Sequence, residues 1–467
     1  MSEDEKGEKV YTFSLKVMID KERSKVLFAT ADRHFVDILL SFLTLPLGRI
    51  IRVLKQHYGD ELPTIGSLCS LYHSLSNLDN SHFVTVGAKQ NLLNPTTSFE
   101  NEYKWLKLDI TDFQPATYFY CSVSYRRCSN KFRSESNYYD YIELCQDCGS
   151  YEMVKVVAKK ESEAGYSDGI WTVRGASFTI LDDLQIFPDE IGLVQIMTLL
   201  GITDTNKAEV FQVDLGFNEI MKLLKASLTS PTPLSDVILN KTTLINSPRV
   251  PLHHISKEEN PNSSSVSLKL VTQKSSGKLL YAQAKEDFVE FLFSFFNIPI
   301  GGAEHLMGGK ACVKAIDNLY RSASEFIGDK YFKTTEDKMK LLNPNLPHGC
   351  ISKNQILPLV EECLPANYTA FLSRFSSVKF PKGQGCYLEE PRTYHVTDDL
   401  TVKPFCSVSV LSCLNSLKIP MSDVEEREIE IGFKEALNIL KASLTSTSAL
   451  SDALLTQIPN KQIKREV

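Results

Sequence analysis

Four cysteines in a short stretch, Cys121, Cys128, Cys145 and Cys148, carry the strongest chemical signal in the chain. Cys145-Gln146-Asp147-Cys148-Gly149 has the two-residue spacing that lets both thiolates turn onto one ion. The glycine after the second ligand permits the tight turn in which backbone N–H groups point at sulfur. Cys121 and Cys128 stand farther apart than the ligands of a usual zinc knuckle. No histidine occurs between His82 and His253, so a shell drawn from this stretch is all-cysteine. A closed thiolate shell implies a structural Zn2+, since a catalytic zinc keeps a position open for water. The alternatives are free thiols or a redox Cys-x-x-Cys pair. A redox pair calls for a helix N-terminus after a strand, and Gly149-Ser150 is a poor helix start.

Around these cysteines, Arg126, Arg127, Lys131 and Arg133 are interleaved with Tyr118, Phe119, Tyr120, Tyr125, Phe132, Tyr138 and Tyr139. Basic and aromatic residues together grip phosphates and stack bases, which makes nucleic acid one candidate partner. The plainer account has the aromatics packing a small zinc-stapled lobe while the arginines face water. Glu135, Asp140 and Glu143 dilute the positive charge. Elsewhere, the pairs Asp182-Asp183 and Asp398-Asp399 read as hairpin turns rather than acid/base groups, because adjacent strand residues point to opposite faces. His253-His254 lies among prolines, and Gly383-Gln384-Gly385-Cys386 is too short to cradle a phosphate. No Walker sequence or Gly-x-Ser-x-Gly elbow is present, so the sequence lends no support to an enzyme.

The frame that must position the cysteines is written twice. With Ser14-Leu15-Lys16 placed over Ser267-Leu268-Lys269, about 15 of 35 positions agree without a gap, where chance gives about two. Phe35-Val36, Leu39, Ser41-Phe42, Pro46 and Gly48 fall on Phe288-Val289, Leu292, Ser294-Phe295, Pro299 and Gly301. Leu92 to Pro95 recurs as Leu341 to Pro344, and Asp182-Asp183-Leu184 as Asp398-Asp399-Leu400. Leu224 to Ser230 recurs as Leu440 to Ser446. The order of blocks is the same in both halves. The cysteine cluster has no counterpart in the second half, where Cys350, Cys363 and Cys386 show no ligand spacing.

These blocks divide the chain into a disordered start at 1–13, a first module at 14–239, a linker at 240–265, a second module at 266–455 and a flexible tail at 456–467. The cysteine-rich, zinc-ribbon-like lobe is an insertion at about 117–153. Leu15 to Ile19 and Val26 to Ala29 alternate around a charged turn and predict a β-hairpin, as do Leu268 to Val271 and Leu279 to Ala282. Phe35 to Leu43 is apolar almost all round, with Asp37 as its charge, and predicts a buried helix ending near Pro46. Ser177 to Ile180 and Gln185 to Phe187 predict a second hairpin. Phe217, Ile220, Met221, Leu224 and Leu228 form one helical stripe, with Asn218, Lys222 and Lys225 opposite. The second half keeps the stripe as Phe433, Ala436, Leu437, Leu440 and Leu444. Strand pairs and helices segregate, so the predicted class is α+β.

A 467-residue chain with 43% hydrophobic and 23% charged residues has ample material for a packed core. The net charge of −6 opposes a whole-protein grip on nucleic acid or an anionic membrane. Met1 to Lys9 is polar and acidic, unlike a secretory signal, and no apolar run is long enough to cross a bilayer. The expected location is the cytoplasm or nucleus, where 11 cysteines serve as thiols or metal ligands rather than disulfides.

The opening block at 14–48, taken with Leu223-Leu224-Lys225-Ala226-Ser227-Leu228, resembles the plant family called domain of unknown function 674. The resemblance covers essentially the whole chain. It implies a plant intracellular protein with tandem copies and a cysteine cluster at this place, and it transfers no activity, ligand or catalytic residue. The functional expectation is a non-enzymatic interaction or scaffold protein with a structural zinc and a protein partner. Nucleic-acid binding through the cysteine-rich lobe is the second expectation, and an enzyme with a cleft between the modules the third.

Overall fold

Phe13, Leu15 and Val17 are buried while Ser14 and Lys16 are exposed, the period of a strand with one face on a core. The computed structural model describes residues 11–84, 86–110, 117–121, 132–135, 153–156, 169–203, 208–240, 265–347, 350–361 and 386–455. Its strands in chain order are β1 (Phe13–Asp20), β2 (Lys25–Asp32), β3 (Thr117–Cys121), β4 (Phe132–Glu135), β5 (Met153–Val156), β6 (Ser177–Leu181), β7 (Ile186–Pro188) and β8 (Ala208–Leu215). They continue as β9 (Val266–Gln273), β10 (Leu279–Lys285), β11 (Thr393–Val396), β12 (Val402–Pro404) and β13 (Val424–Ile431). Two five-stranded antiparallel sheets result, ordered β7-β6-β2-β1-β8 and β12-β11-β10-β9-β13, and β4-β3-β5 form a third. The two large sheets have the same strand order. Both predicted hairpins of the first half and the first hairpin of the second are present.

The helices of the first half are α1 (Arg33–Ser41), α2 (Leu47–Tyr58), α3 (Leu68–Asn77), α4 (Val86–Leu93), α5 (Glu100–Tyr103), α6 (Leu193–Leu199), α7 (Phe217–Thr229) and α8 (Pro233–Ile238). Those of the second half are α9 (Glu286–Ser294), α10 (Ile300–Leu306), α11 (Lys314–Arg321), α12 (Thr335–Leu342), α13 (Ser407–Ser416) and α14 (Phe433–Thr445). The protein is thus α+β. Helix α1 starts where the Asp32 side chain accepts the Phe35 N–H at 3.1 Å, a standard use of aspartate at an N-cap. It ends in a 3-10 turn, Phe42–Thr44, before Pro46, which leads into α2. The second half repeats this with α9, the turn Phe295–Asn297 and Pro299.

One continuous core runs through both halves. At its centre the stretch Leu45 to Leu47 lies antiparallel to Ile298 to Ile300. The Leu47 N–H donates to the Ile298 carbonyl at 2.9 Å, and the Ile300 N–H donates to the Leu45 carbonyl at 3.0 Å. Position 47 of one half corresponds to position 300 of the other, so the contact is reciprocal, the mark of a two-fold interface. The backbones approach closely enough to exclude a side chain. A Cβ on Gly48 would lie 2.7 Å from the Phe296 Cβ, and one on Gly301 would lie 2.7 Å from the Leu43 carbonyl oxygen.

The helical stripe at 217–228 departs from the one-sided pattern its sequence suggests. Leu223, Ala226 and Ser227 are buried along with Ile220, Met221 and Leu224, because α7 is packed by α2 on one side and by α11 on another. In α14 even Asn438 and Lys441 are buried. A helix enclosed by both halves loses its polar face to packing.

Candidate functional site

The stretch that holds the four cysteines includes β3 and β4, and β5 follows at its end. Cys121 is the last residue of β3 and pairs with Met153 on β5, while Arg133 on β4 pairs with Phe119 on β3. Cys128, Cys145, Cys148, Arg126, Arg127 and Lys131 lie outside the described residues, as do His253-His254 and most of the 240–265 linker. Among the described residues, no group of three or more His, Cys, Asp or Glu side chains is placed to hold a metal ion.

The aspartate pairs sit in turns, as expected, and are bound into the fold. The Ser235 N–H and hydroxyl donate to the two carboxylate oxygens of Asp182 at 2.8 and 2.9 Å, tying the β6–β7 turn to α8. Ser451 binds Asp398 in the same way, at 2.8 Å for both contacts. Burial pushes the Asp182 carboxyl up to about 6 against the pull of these bonds and of Lys25. Asp183 faces Lys314 of the second half at 3.2 Å, and Asp399 is held by Thr397 and Thr401.

Two buried acids at matching positions of α1 and α9 anchor the chain where it re-enters each sheet. Asp37, 2% exposed, accepts the N–H groups of Ile170 (2.7 Å), Trp171 (3.3 Å) and Thr172 (3.0 Å) and the Thr172 hydroxyl (2.8 Å). Glu290 accepts the Tyr387 N–H and, at 2.7 Å, the Asn354 side-chain amide. Asp37 thus holds the segment Ile170 to Thr172, which leads into β6, against α1. Burial raises its carboxyl to about 6, outweighing four hydrogen bonds that favour the charged form.

A third acidic pair, Glu304 on α10 and Asp317 on α11, belongs to the second half alone; the matching positions are Ile51 and Cys69. Both carboxyls are raised by burial. Glu304 is driven higher by the Asp317 charge, while the hydrogen bond to Glu304 and the Lys441 ammonium pull Asp317 back. Glu304 Oε1 and Asp317 Oδ1 have no other hydrogen-bond partner in the interior, and burial beside a second acid favours the neutral form of Glu304. The sequence carries no spacing signal for this pair.

An open concavity of about 490 Å³ lies at the end of β1, β2 and β6, lined by Lys16, Thr30, Asp32, Arg33, His34 and Ser177 among others. Burial lowers the pKa of His34; Asp32 opposes this, and Arg33 and Lys107 add to it. The second half places Lys285, Glu286 and Asp287 at the positions of Asp32, Arg33 and His34, so the order of charges is inverted.

Cys406, exposed and just before α13, differs from the other described thiols. The Ser409 side chain and the N–H groups of Ser409 and Val408 hold its thiol below the ordinary range, whereas burial pushes Cys386 up to about 11 and raises Cys69. The thiolate is the reactive form. Iodoacetamide at neutral pH is therefore expected to label Cys406 at least about tenfold faster than Cys69 or Cys386, read by peptide mass spectrometry. Equal rates would contradict this assignment.

Apolar residues face solvent on two helices that follow equivalent strands. On and beside α6 these are Leu193, Val194 (81% exposed) and Leu199; on and beside α13 they are Val408 (72% exposed), Leu411, Leu417 and Met421. The inner faces are anchored, Ile196 against Leu181 and Phe187, and Val410 and Leu414 against Val271 and Tyr281. The sequence concealed this because apolar residues on both faces of a short helix read simply as core.

These features define an α+β protein of two like-ordered antiparallel sheets sharing one core, with its buried acids committed to holding chain segments together. The chain belongs to the family described as protein of unknown function (DUF674), which matches residues 9–434. No curated protein and no solved structure matches the chain. No helix among the described residues is long and apolar enough to cross a membrane.

Proposed function

We propose that this is a non-enzymatic interaction protein, a scaffold made of two copies of one α+β module, with a structural Zn2+ held by Cys121, Cys128, Cys145 and Cys148 in a lobe inserted into the first copy. The observation that carries the reading is the recurrence of solvent-facing apolar residues on α6 and α13, each anchored on its inner side. Exposed apolar surface that recurs on a packed framework is characteristic of protein contact. The buried carboxylates Asp37, Asp182 and Glu290 and the half-buried Asp398 support it, because each spends its hydrogen bonds on the chain itself. The matching strand order of the two large sheets supports the two-copy reading. Among the described residues, Cys69, Cys312, Cys350, Cys386 and Cys406 form no disulfide, which suits a reducing compartment, the cytosol or nucleus.

Two measurements test the proposal. Metal analysis of protein prepared without chelator under reducing conditions is expected to give about one zinc per chain, lost in the Cys145→Ser/Cys148→Ser variant. Zinc-free wild type removes the metal from the account. For the interaction surface, a Val194→Asp/Val408→Asp variant with unchanged circular dichroism and melting is expected to lose partners that the wild type retains from extract. An identical set of retained proteins would overturn the interaction reading.

A further inference from the structure

Each half lays one helical segment against the edge strand of the other half's sheet. From the first half, α3 packs on β12 and α9, and the Ser74 hydroxyl accepts the Val402 N–H of β12 at 2.9 Å. From the second half, the π-turn Ser322–Phe326 that ends α11 packs on β7, and the Ser322 hydroxyl accepts the Ile186 N–H of β7 at 2.9 Å. Ser74 and Ser322 hold corresponding places, as do Val402 and Ile186.

The exchange continues along the chain. The Val84 N–H donates to the Tyr387 carbonyl and the Glu389 N–H to the His82 carbonyl, both at 3.0 Å. The mirrored pair joins the Lys333 N–H to the Trp171 carbonyl and the Val173 N–H to the Tyr331 carbonyl, both at 2.9 Å. His82 lies beside Tyr394, and Tyr331 lies beside Phe178, again at matching positions. Each crossing therefore occurs twice with the roles of the halves reversed.

We infer that the chain is a tethered, segment-exchanged dimer: each half is the obligate partner of the other, and the connection across 241–264 is not needed for their association. A half removed from its partner loses the segment that covers the edge of its sheet and exposes the faces of its own helices that meet the other half. Among these are Phe296, which packs against Gly48 and Tyr72, and Leu43, which packs against Gly301. Interfaces of this apolar, reciprocal kind are those of obligate dimers, whose subunits do not persist alone. The inference rests on contacts between described residues and is independent of the zinc and scaffold reading.

The test inserts a specific protease site within 241–264 of the full-length protein and cuts it under native conditions, with cutting confirmed on a denaturing gel. The two fragments are expected to elute together at the size of the uncut chain with its circular dichroism. Their melting should become dependent on protein concentration, as a bimolecular complex requires. Two separate peaks would overturn the inference, whether folded, which shows independent domains, or unfolded, which shows that the tether is essential. A cut Gly301→Val variant is expected to come apart at lower urea than cut wild type. Both fragments should then unfold together.

Discussion

Gly301→Val is expected to destabilise the protein by about 3–5 kcal/mol, and Gly48→Val by a comparable amount, read as a fall in the urea midpoint. The added Cβ at 301 would sit 2.7 Å from the Leu43 carbonyl oxygen and 2.9 Å from the Leu341 carbonyl oxygen. Both are backbone atoms fixed by their own elements, so neither can swing aside. At Gly48 the obstacle is Phe296, whose Cβ and carbonyl would lie 2.7 and 3.1 Å away. Gly302 supplies the control. Its added Cβ would meet nothing closer than 3.7 Å, so Gly302→Ala is expected to be neutral or stabilising by up to about 1 kcal/mol, from helix propensity. Full stability in Gly301→Val would show that the two halves do not meet at this seam.

Asp37→Ala is expected to cost about 3–5 kcal/mol, because it strands three buried N–H groups and a hydroxyl that the carboxylate now holds. The same group gives the protein a signed pH dependence. The carboxyl is raised from its ordinary 3.8 to about 6 in the folded state, so the folded state binds the extra proton. Its contribution to stability is complete below the unfolded pKa and is lost as the pH rises through about 6. Asp182, also raised to about 6, acts in the same direction. Urea unfolding at half-unit steps from pH 4 to 7 is expected to show wild type losing stability across this window. In Asp37→Asn the curve should be flatter by the share of one titrating group. Parallel curves would contradict the assignment of Asp37.

The elements visible in the sequence are those fixed by local periodicity. The alternation of Phe13, Leu15 and Val17, the all-round apolar run from Phe35 to Leu43 and the turns at Asp182-Asp183 and Asp398-Asp399 each constrain a single strand, helix or hairpin. The matching blocks at Pro46-Leu47-Gly48 and Pro299-Ile300-Gly301 were visible as a repeat, but the repeat alone does not say that they touch. Which sheet α3 and α11 cover is a long-range choice, made by groups such as Ser74 and Ser322 whose sequence neighbourhoods are ordinary. The burial of Leu223, Asn438 and Lys441 follows from that choice, which is why a one-sided stripe was an incomplete reading of α7 and α14. Glu304 and Asp317 are 13 positions apart and meet only because α10 and α11 fold together. The cysteine spacing identifies a metal-ligand pattern directly from chemistry; of its four members, Cys121 alone falls within a described strand.

Native-state hydrogen exchange tests the central claim, one cooperative structure shared by two interlocked halves, most directly. Peptides covering β2 (Lys25–Asp32) and β10 (Leu279–Lys285), the central strands of the two sheets, are to be followed by mass spectrometry as urea is raised below the unfolding midpoint. The account predicts that both lose protection at the same urea concentration and with the same dependence on it, since the two sheets share one core that opens as a whole. Exchange of one strand through an opening that leaves the other protected would contradict it.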